Sequence, residues 1–185
     1  RKVVDLDGDG VITKDDIYYA GDRDPHLTFT IKAGLEWKGI DVNAFFQGVG
    51  NQVILRQGQI PYLWRTNYVM QNKTYMGKTW TPDNPNAEYT IASRDQNFNS
   101  WNYQYKDISL QKNRYIRLKS LVVGYTLPQQ WTAKAGLSRV RLYFSGDDLW
   151  EWTKVKDGYD PEYGAETNNS FPFSRLLSFG VDVTF

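Results

Sequence analysis

Apolar and polar residues alternate with period 2 over several long runs of this chain. Leu27, Phe29, Ile31, Ala33, Leu35 and Trp37 alternate with Thr28, Thr30, Lys32, Gly34, Glu36 and Lys38. Ile40, Val42, Ala44 and Phe46 then alternate with Asp41, Asn43, Phe45 and Gln47. Successive strand side chains point to opposite faces, so each run predicts a strand with one apolar face. The runs flank Lys38-Gly39, which predicts a β-hairpin over 27–49 with a tight turn. The 11 residues from Leu27 to Trp37, rising ~3.3 Å each and tilted about 45°, span roughly 25 Å. That is the height of a bilayer's apolar band.

A second hairpin is predicted over 114–149. Ile116 and Leu118 fall on one phase, while Leu121, Val123 and Tyr125 fall on the other. A bulge near Lys119-Ser120 reconciles them, and Pro128 ends the strand. After a turn, Val140, Leu142 and Phe144 alternate with Arg139, Arg141, Tyr143 and Ser145. The last run, 174–185, carries Phe179, Val181, Val183 and Phe185 on one phase and stops on an aromatic, as the closing strand of an outer-membrane barrel does.

Residues 1–26, 51–113 and 150–172 show no sustained alternation and are expected to be loops, the long middle one with one or two short insertions. A loop as long as 51–113 is unusual in a compact domain and normally functional. Five long strands put both short connections, Lys38-Gly39 and 127–138, at one end and both long ones at the other. Outer-membrane barrels show this asymmetry, with short periplasmic turns and long extracellular loops. The fold class expected is therefore all-β, an antiparallel barrel fragment, since five strands cannot close a barrel alone.

Composition narrows this further. Mean hydropathy is −0.60, and no apolar run reaches the length of a membrane helix. Barrels escape that exclusion because their inward residues are polar. Aromatics make up 16% of the 185 residues, which suits interfacial girdles. The net charge is +1 with Lys and Arg dispersed, so no nucleic-acid footprint is present. The chain opens at Arg1 without Met and is expected to be a piece of a longer one. With no Cys and a single His, His26, neither a thiolate site nor a His-based triad is possible within it.

The sharpest chemical motif is Asp5-Leu6-Asp7-Gly8-Asp9-Gly10-Val11-Ile12-Thr13-Lys14-Asp15-Asp16. It has the spacing of an EF-hand-type loop, with acids at positions 1, 3, 5 and 12 and Gly at 6. Ca²⁺ takes 6–8 oxygens, and Asp5, Asp7, Asp9, the Val11 carbonyl, Thr13 and Asp16 are the candidate ligands of a structural calcium. No helix pair or second copy accompanies the loop, which argues against a sensor. Asp147-Asp148 and Asp160/Glu162 make a poor glycosidase dyad; adjacent strand residues face apart, and loop acids are commonly turn formers or solvated, so no enzyme activity is expected. Trp64, Trp80, Trp101, Trp150 and Trp152 are candidates for ligand or partner contact through stacking, with interfacial anchoring or internal loop packing as the alternatives, and Trp37 for a girdle.

Several stretches together resemble the C-terminal part of SusC/RagA-type TonB-linked outer-membrane transporters. They are the Asp5–Asp16 loop, Gly21 with Pro25, Trp37-Lys38-Gly39-Ile40-Asp41-Val42, Phe46-Gln47-Gly48 and Trp80-Thr81-Pro82-Asp83-Asn84-Pro85. Further on come Tyr115-Ile116-Arg117-Leu118-Lys119-Ser120-Leu121, Gly124-Tyr125-Thr126-Leu127-Pro128, Asp148-Leu149, Gly158-Tyr159-Asp160-Pro161-Glu162 and Phe185. The resemblance implies the last five strands of a 22-stranded barrel. It implies a plug domain outside this chain that contacts TonB, a SusD-like surface lipoprotein as lid, and import of oligosaccharides or peptides across the outer membrane. The alternative on residues alone is a soluble carbohydrate-binding β-sandwich module with a structural calcium.

Overall fold

The computed structural model describes residues 4–55, 73, 76–93, 95, 97, 98, 102, 109–156, 160–163 and 174–185. They fall into two compact units, 1–24 with 53–111 and 162–170, and 25–52 with 112–161 and 171–185.

The second unit holds one antiparallel sheet of five long strands. These are β1 (Leu27–Trp37), β2 (Ile40–Asn51), β5 (Tyr115–Thr126), β6 (Arg139–Thr153) and β7 (Leu176–Thr184), neighbours in that order. A short two-stranded sheet joins β3 (Val53–Leu55) to β4 (Leu110–Lys112). No described helix is long and apolar enough to cross a membrane, which says nothing of strands.

The β1–β2 turn has two residues, since Trp37 pairs with Ile40. Lys38 lies at φ 47° and Gly39 at φ 86°. Two consecutive positive φ values are the primed geometry whose twist matches the flanking strands. The Cβ of any larger residue at 39 would lie 2.8 Å from the Thr126 carbonyl, so glycine is required there. The β5–β6 connection contains one helical turn, Gln129–Thr132, and ends on Gly136 at φ 72°. It lies at the same end of the sheet as Lys38-Gly39, because Asp41 pairs with Gly124 and Thr126 with Arg141.

Pairing aligns the apolar phases of all five strands. Leu35, Val42, Val123, Phe144 and Phe179 form one cross-sheet row. Trp37, Ile40, Tyr125, Leu142 and Val181 form the row beside it. The phase change within β5 is absorbed where it was expected. The register shifts between Leu118 and Ser120, opposite Phe45/Phe46 on one side and between Asp147 and Trp150 on the other. Lys119 on β5 and Asp148 and Leu149 on β6 lie between the paired positions; Asp148 is at φ 54° and forms an ion pair of 2.9 Å with Lys119. A bulge adds an unpaired residue and so restores the facing of every side chain beyond it.

One boundary differs from the sequence reading. β6 runs on to Thr153, so Trp150 and Trp152 are strand residues rather than members of a loop from 150. They pair with Leu118 and Ile116 on the apolar face. Local alternation is lost at the bulge, which hides the strand's continuation from a period-2 search.

Much of the apolar face is exposed among the described residues. Leu35, Trp37, Leu177, Phe179 and Val181 are each more than half exposed, and Phe179 is 83% exposed. Burying a large apolar side chain is worth about 1.5–3 kcal/mol. For five such residues that sum matches the whole stability of an ordinary domain, about 5–15 kcal/mol.

Candidate functional site

The opposite face is polar, and two arginines on it are paired with acids across strands. Arg141 on β6 donates from Nε to Asp41 Oδ1 at 2.8 Å and from Nη2 to Asp41 Oδ2 at 2.6 Å. Its Nη1 reaches Asp182 Oδ2 at 3.1 Å. A bidentate guanidinium–carboxylate pair is both strong and geometrically specific. To reach Asp41 on β2, Arg141 must cross β5, and it does so over Gly124. A Cβ there would lie 2.5 Å from Arg141 Nε and Asp41 Oδ1. Tyr143 lies alongside, with the Arg141 guanidinium 5.1 Å from its ring centre, and it leans over Gly180 in the same manner. Glu36, Lys38, Thr126 and Arg139 complete the rim of this polar hollow at the turn end.

A second cluster lies toward the other end of the strands. Arg117 on β5 is fully buried. Its Nε donates to Glu151 on β6 at 3.0 Å, and its Nη2 also reaches that carboxylate. Nη2 further donates to Asp160 Oδ1 at 2.7 Å, with Nη1 3.3 Å from Oδ2. Beside it, Asn113 Nδ2 donates to Gln52 Oε1 at 2.6 Å and to the Pro161 carbonyl at 3.0 Å. A buried charge requires such pairing, because desolvation costs several kcal/mol per ion. Asp160, read from sequence as a solvated or turn-forming acid, is instead the partner of a buried arginine. Arg117, Arg141 and Asp41 escaped the sequence reading. Their one signal was position: charges on the polar phase of otherwise apolar strands.

The acidic loop is compact on its own terms. Oxygen atoms of Asp5, Asp7 and Asp9 lie within 4.8 Å of one another. Asp5 accepts from the Gly8 amide at 2.7 Å and the Gly10 amide at 2.8 Å. Gly8 and Gly10, at φ 80° and 84°, give the backbone the turns this requires. Asp9 accepts from the Val11 amide at 2.7 Å. Asp16 is not one of the three; its oxygens accept from Leu6 at 2.6 Å and Thr13 at 2.7 Å and tie the loop's ends together. These two amides, Thr13 first, hold the Asp16 carboxyl below the usual carboxylate range. Thr13 Oγ1 caps the 3₁₀ turn Lys14–Asp16 by accepting from Asp15. An ionised carboxylate offers about four lone-pair sites, so Asp5, Asp7 and Asp9 keep capacity for a hard cation beyond these amides. The donor set fits an oxygen-seeking divalent ion.

The aromatic candidates separate. Trp150 and Trp152 lie on the exposed apolar face, at the end of the sheet opposite Trp37. Trp80 is 39% exposed, its amide bonded to the Tyr89 carbonyl at 2.9 Å. Trp64 and Trp101 lie outside the described residues.

No protein-family model matches the sequence. TonB-dependent receptor P3 of Formosa agariphila is 31% identical over 98% of this chain and 18% of its own length. TonB-dependent receptor P26 of the same organism is 27% identical over 100% of this chain and 19% of its own. Among solved structures, the RagAB peptide transporter matches 95% of this chain and 19% of its own, with a TM-score of 0.70 at 22% identity. The RagAB peptide importer in its closed-closed state matches 98% and 20%, with a TM-score of 0.68 at 25% identity. The chain thus spans about a fifth of the length of the proteins it matches. Along its whole length the chain is a homologue of TonB-dependent receptors, and its sheet has the fold of the matching part of the RagAB structures.

Proposed function

We propose that this chain is the C-terminal wall section of an outer-membrane TonB-dependent transporter. It is a part of a conduit rather than an enzyme. The observation that carries this is the sheet's two faces, one apolar and largely exposed, the other polar with arginine–carboxylate pairs running across its strands. A bilayer accepts the first, and a water-filled or protein-filled lumen accepts the second. Backbone groups at the edges of a sheet in a bilayer must be paired, so β1 and β7 would continue into further strands of a closed barrel. The 22-strand count follows from the resemblance alone.

In this reading Trp37 marks the periplasmic interface, and Trp150 and Trp152 the outer one. The β2–β5 and β6–β7 connections would lie on the extracellular side, where a SusD-like lipoprotein would close over the substrate. The RagAB relatives are peptide importers or transporters, which favours a peptide over an oligosaccharide as cargo. Energy would come from TonB through a plug domain outside this chain. Calcium on Asp5, Asp7 and Asp9, with the Val11 carbonyl, Thr13 and Asp16 as further oxygens, would hold an extracellular loop where millimolar calcium suffices for a weak site. The soluble sandwich alternative needs a cover for the apolar face, whereas Leu35, Trp37, Leu177, Phe179 and Val181 are each more than half exposed.

Topology tests the proposal. In the full-length protein in intact cells, Asp83→Cys should react with a maleimide too bulky to pass the outer membrane. Lys134→Cys should react only after that membrane is permeabilised. Reaction of Lys134→Cys in intact cells, or extraction of the protein without detergent, would overturn the reading.

A further inference from the structure

The β6–β7 connection is not held only at its two strand ends. Four residues beyond Lys156, Asp160 turns inward and places both carboxylate oxygens on the fully buried Arg117 guanidinium, at 2.7 and 3.3 Å. The next residue, Pro161, is buried, and its carbonyl accepts from Asn113 at 3.0 Å. Asn113 itself sits between β4 and β5, with its amide bonded to the Gln52 carbonyl at 2.8 Å. Two adjacent loop residues are thus fastened to the polar face by two side chains from another hairpin.

Arg117 is shared unequally. Glu151 belongs to the neighbouring strand β6, which is already paired to β5 by the backbone ladder. Asp160 belongs to the connection, outside the strands. The Arg117–Glu151 contact therefore adds to a fixed wall, whereas the Arg117–Asp160 contact ties the connection to that wall. We propose that Arg117 is a positioning residue, which with Asn113 straps the Asp160-Pro161 root of the extracellular β6–β7 connection onto the lumen face. The root then belongs to the wall. This rests on the transporter reading for what the strap serves, and on the geometry alone for its existence.

The two carboxylates make the test. Asp160→Asn leaves Arg117 its Glu151 partner, so the wall is kept and the strap weakened. Glu151→Gln leaves the Arg117–Asp160 contact and so keeps the strap. Full-length protein in isolated outer membranes is digested with trypsin, and cutting at Lys154, Lys156 and Arg175, which bracket the root, is timed. The temperature at which the unboiled barrel loses its fast gel mobility is followed beside it. Asp160→Asn should speed cutting by about tenfold or more, through local opening, with that temperature unchanged. Glu151→Gln should leave the cutting rate within about twofold of wild type. Equal acceleration by both variants, or by neither, would overturn the strap. If the wild-type protein is not found in outer membranes, the transporter reading fails, and the same rates on the purified protein still decide the strap.

Discussion

Placing a charge on the open face asks directly what solvent that face meets. Leu121 lies midway along the apolar face, paired with Ala44 and Gly146, between the level of Trp37 and that of Trp150. In a bilayer, Leu121→Arg puts a guanidinium near the midplane, which costs about 2–4 kcal/mol. At 1.4 kcal/mol per tenfold, the folding equilibrium shifts by about 30- to 700-fold. The adjacent Val122 points to the other face, between Asn43 and Ser145. Val122→Arg keeps the charge in polar surroundings and should cost well under half as much. Trp37→Arg, at the rim, should cost about 0–1 kcal/mol. The assay is guanidinium unfolding of the full-length protein in lipid vesicles, with the folded fraction read from heat-modifiable gel mobility. The order Leu121→Arg, then Val122→Arg and Trp37→Arg, is the expected outcome. A Val122→Arg penalty equal to or above that of Leu121→Arg would refute the assignment of faces, and no penalty at Leu121 would refute the bilayer.

Three further outcomes follow from particular contacts. Gly124→Ala puts a methyl 2.5 Å from Arg141 Nε and Asp41 Oδ1; displacing that bidentate pair should cost about 1–3 kcal/mol, seen in the same unfolding assay, and Asp41→Asn should remove most of the difference. Terbium luminescence should report one cation per chain in the acidic loop, competed by calcium and lost in an Asp5→Asn/Asp9→Asn double variant; emission unchanged by the double variant would move the site elsewhere. The Asp16 carboxyl is held below its ordinary range by the Thr13 and Leu6 amides. Its contribution to loop order is therefore complete above the unfolded value of about 3.9 and is lost as pH falls through the lower folded value. Exchange protection of those two amides should persist at pH 5 and vanish only in stronger acid, whereas loss between pH 6 and 5 would contradict the contact.

Much of the sheet was legible because strand facing is a local property. Leu27 to Trp37 and Ile40 to Phe46 announce their own faces, and Lys38-Gly39 can only be a tight turn between them. Even the Lys119 bulge was readable, since Ile116 and Val123 cannot share a face without an extra residue. The Asp5–Asp16 loop was legible for the same reason, its acids and glycines lying within one short stretch. What the order of residues left open was everything set by register between distant segments. Asp41 meets Arg141 across 100 positions, and Gly124 matters only because an arginine from the next strand passes over it. Arg117 finds Glu151 and Asp160 only after β6 has paired with β5, so Asp160 reads as a loop acid until then. Trp150 and Trp152 read as loop tryptophans until the ladder carries β6 beyond its bulge and turns them to the apolar face. Alternation fixes which way a side chain points, but the partner it meets depends on strand pairing, which only the assembled sheet decides.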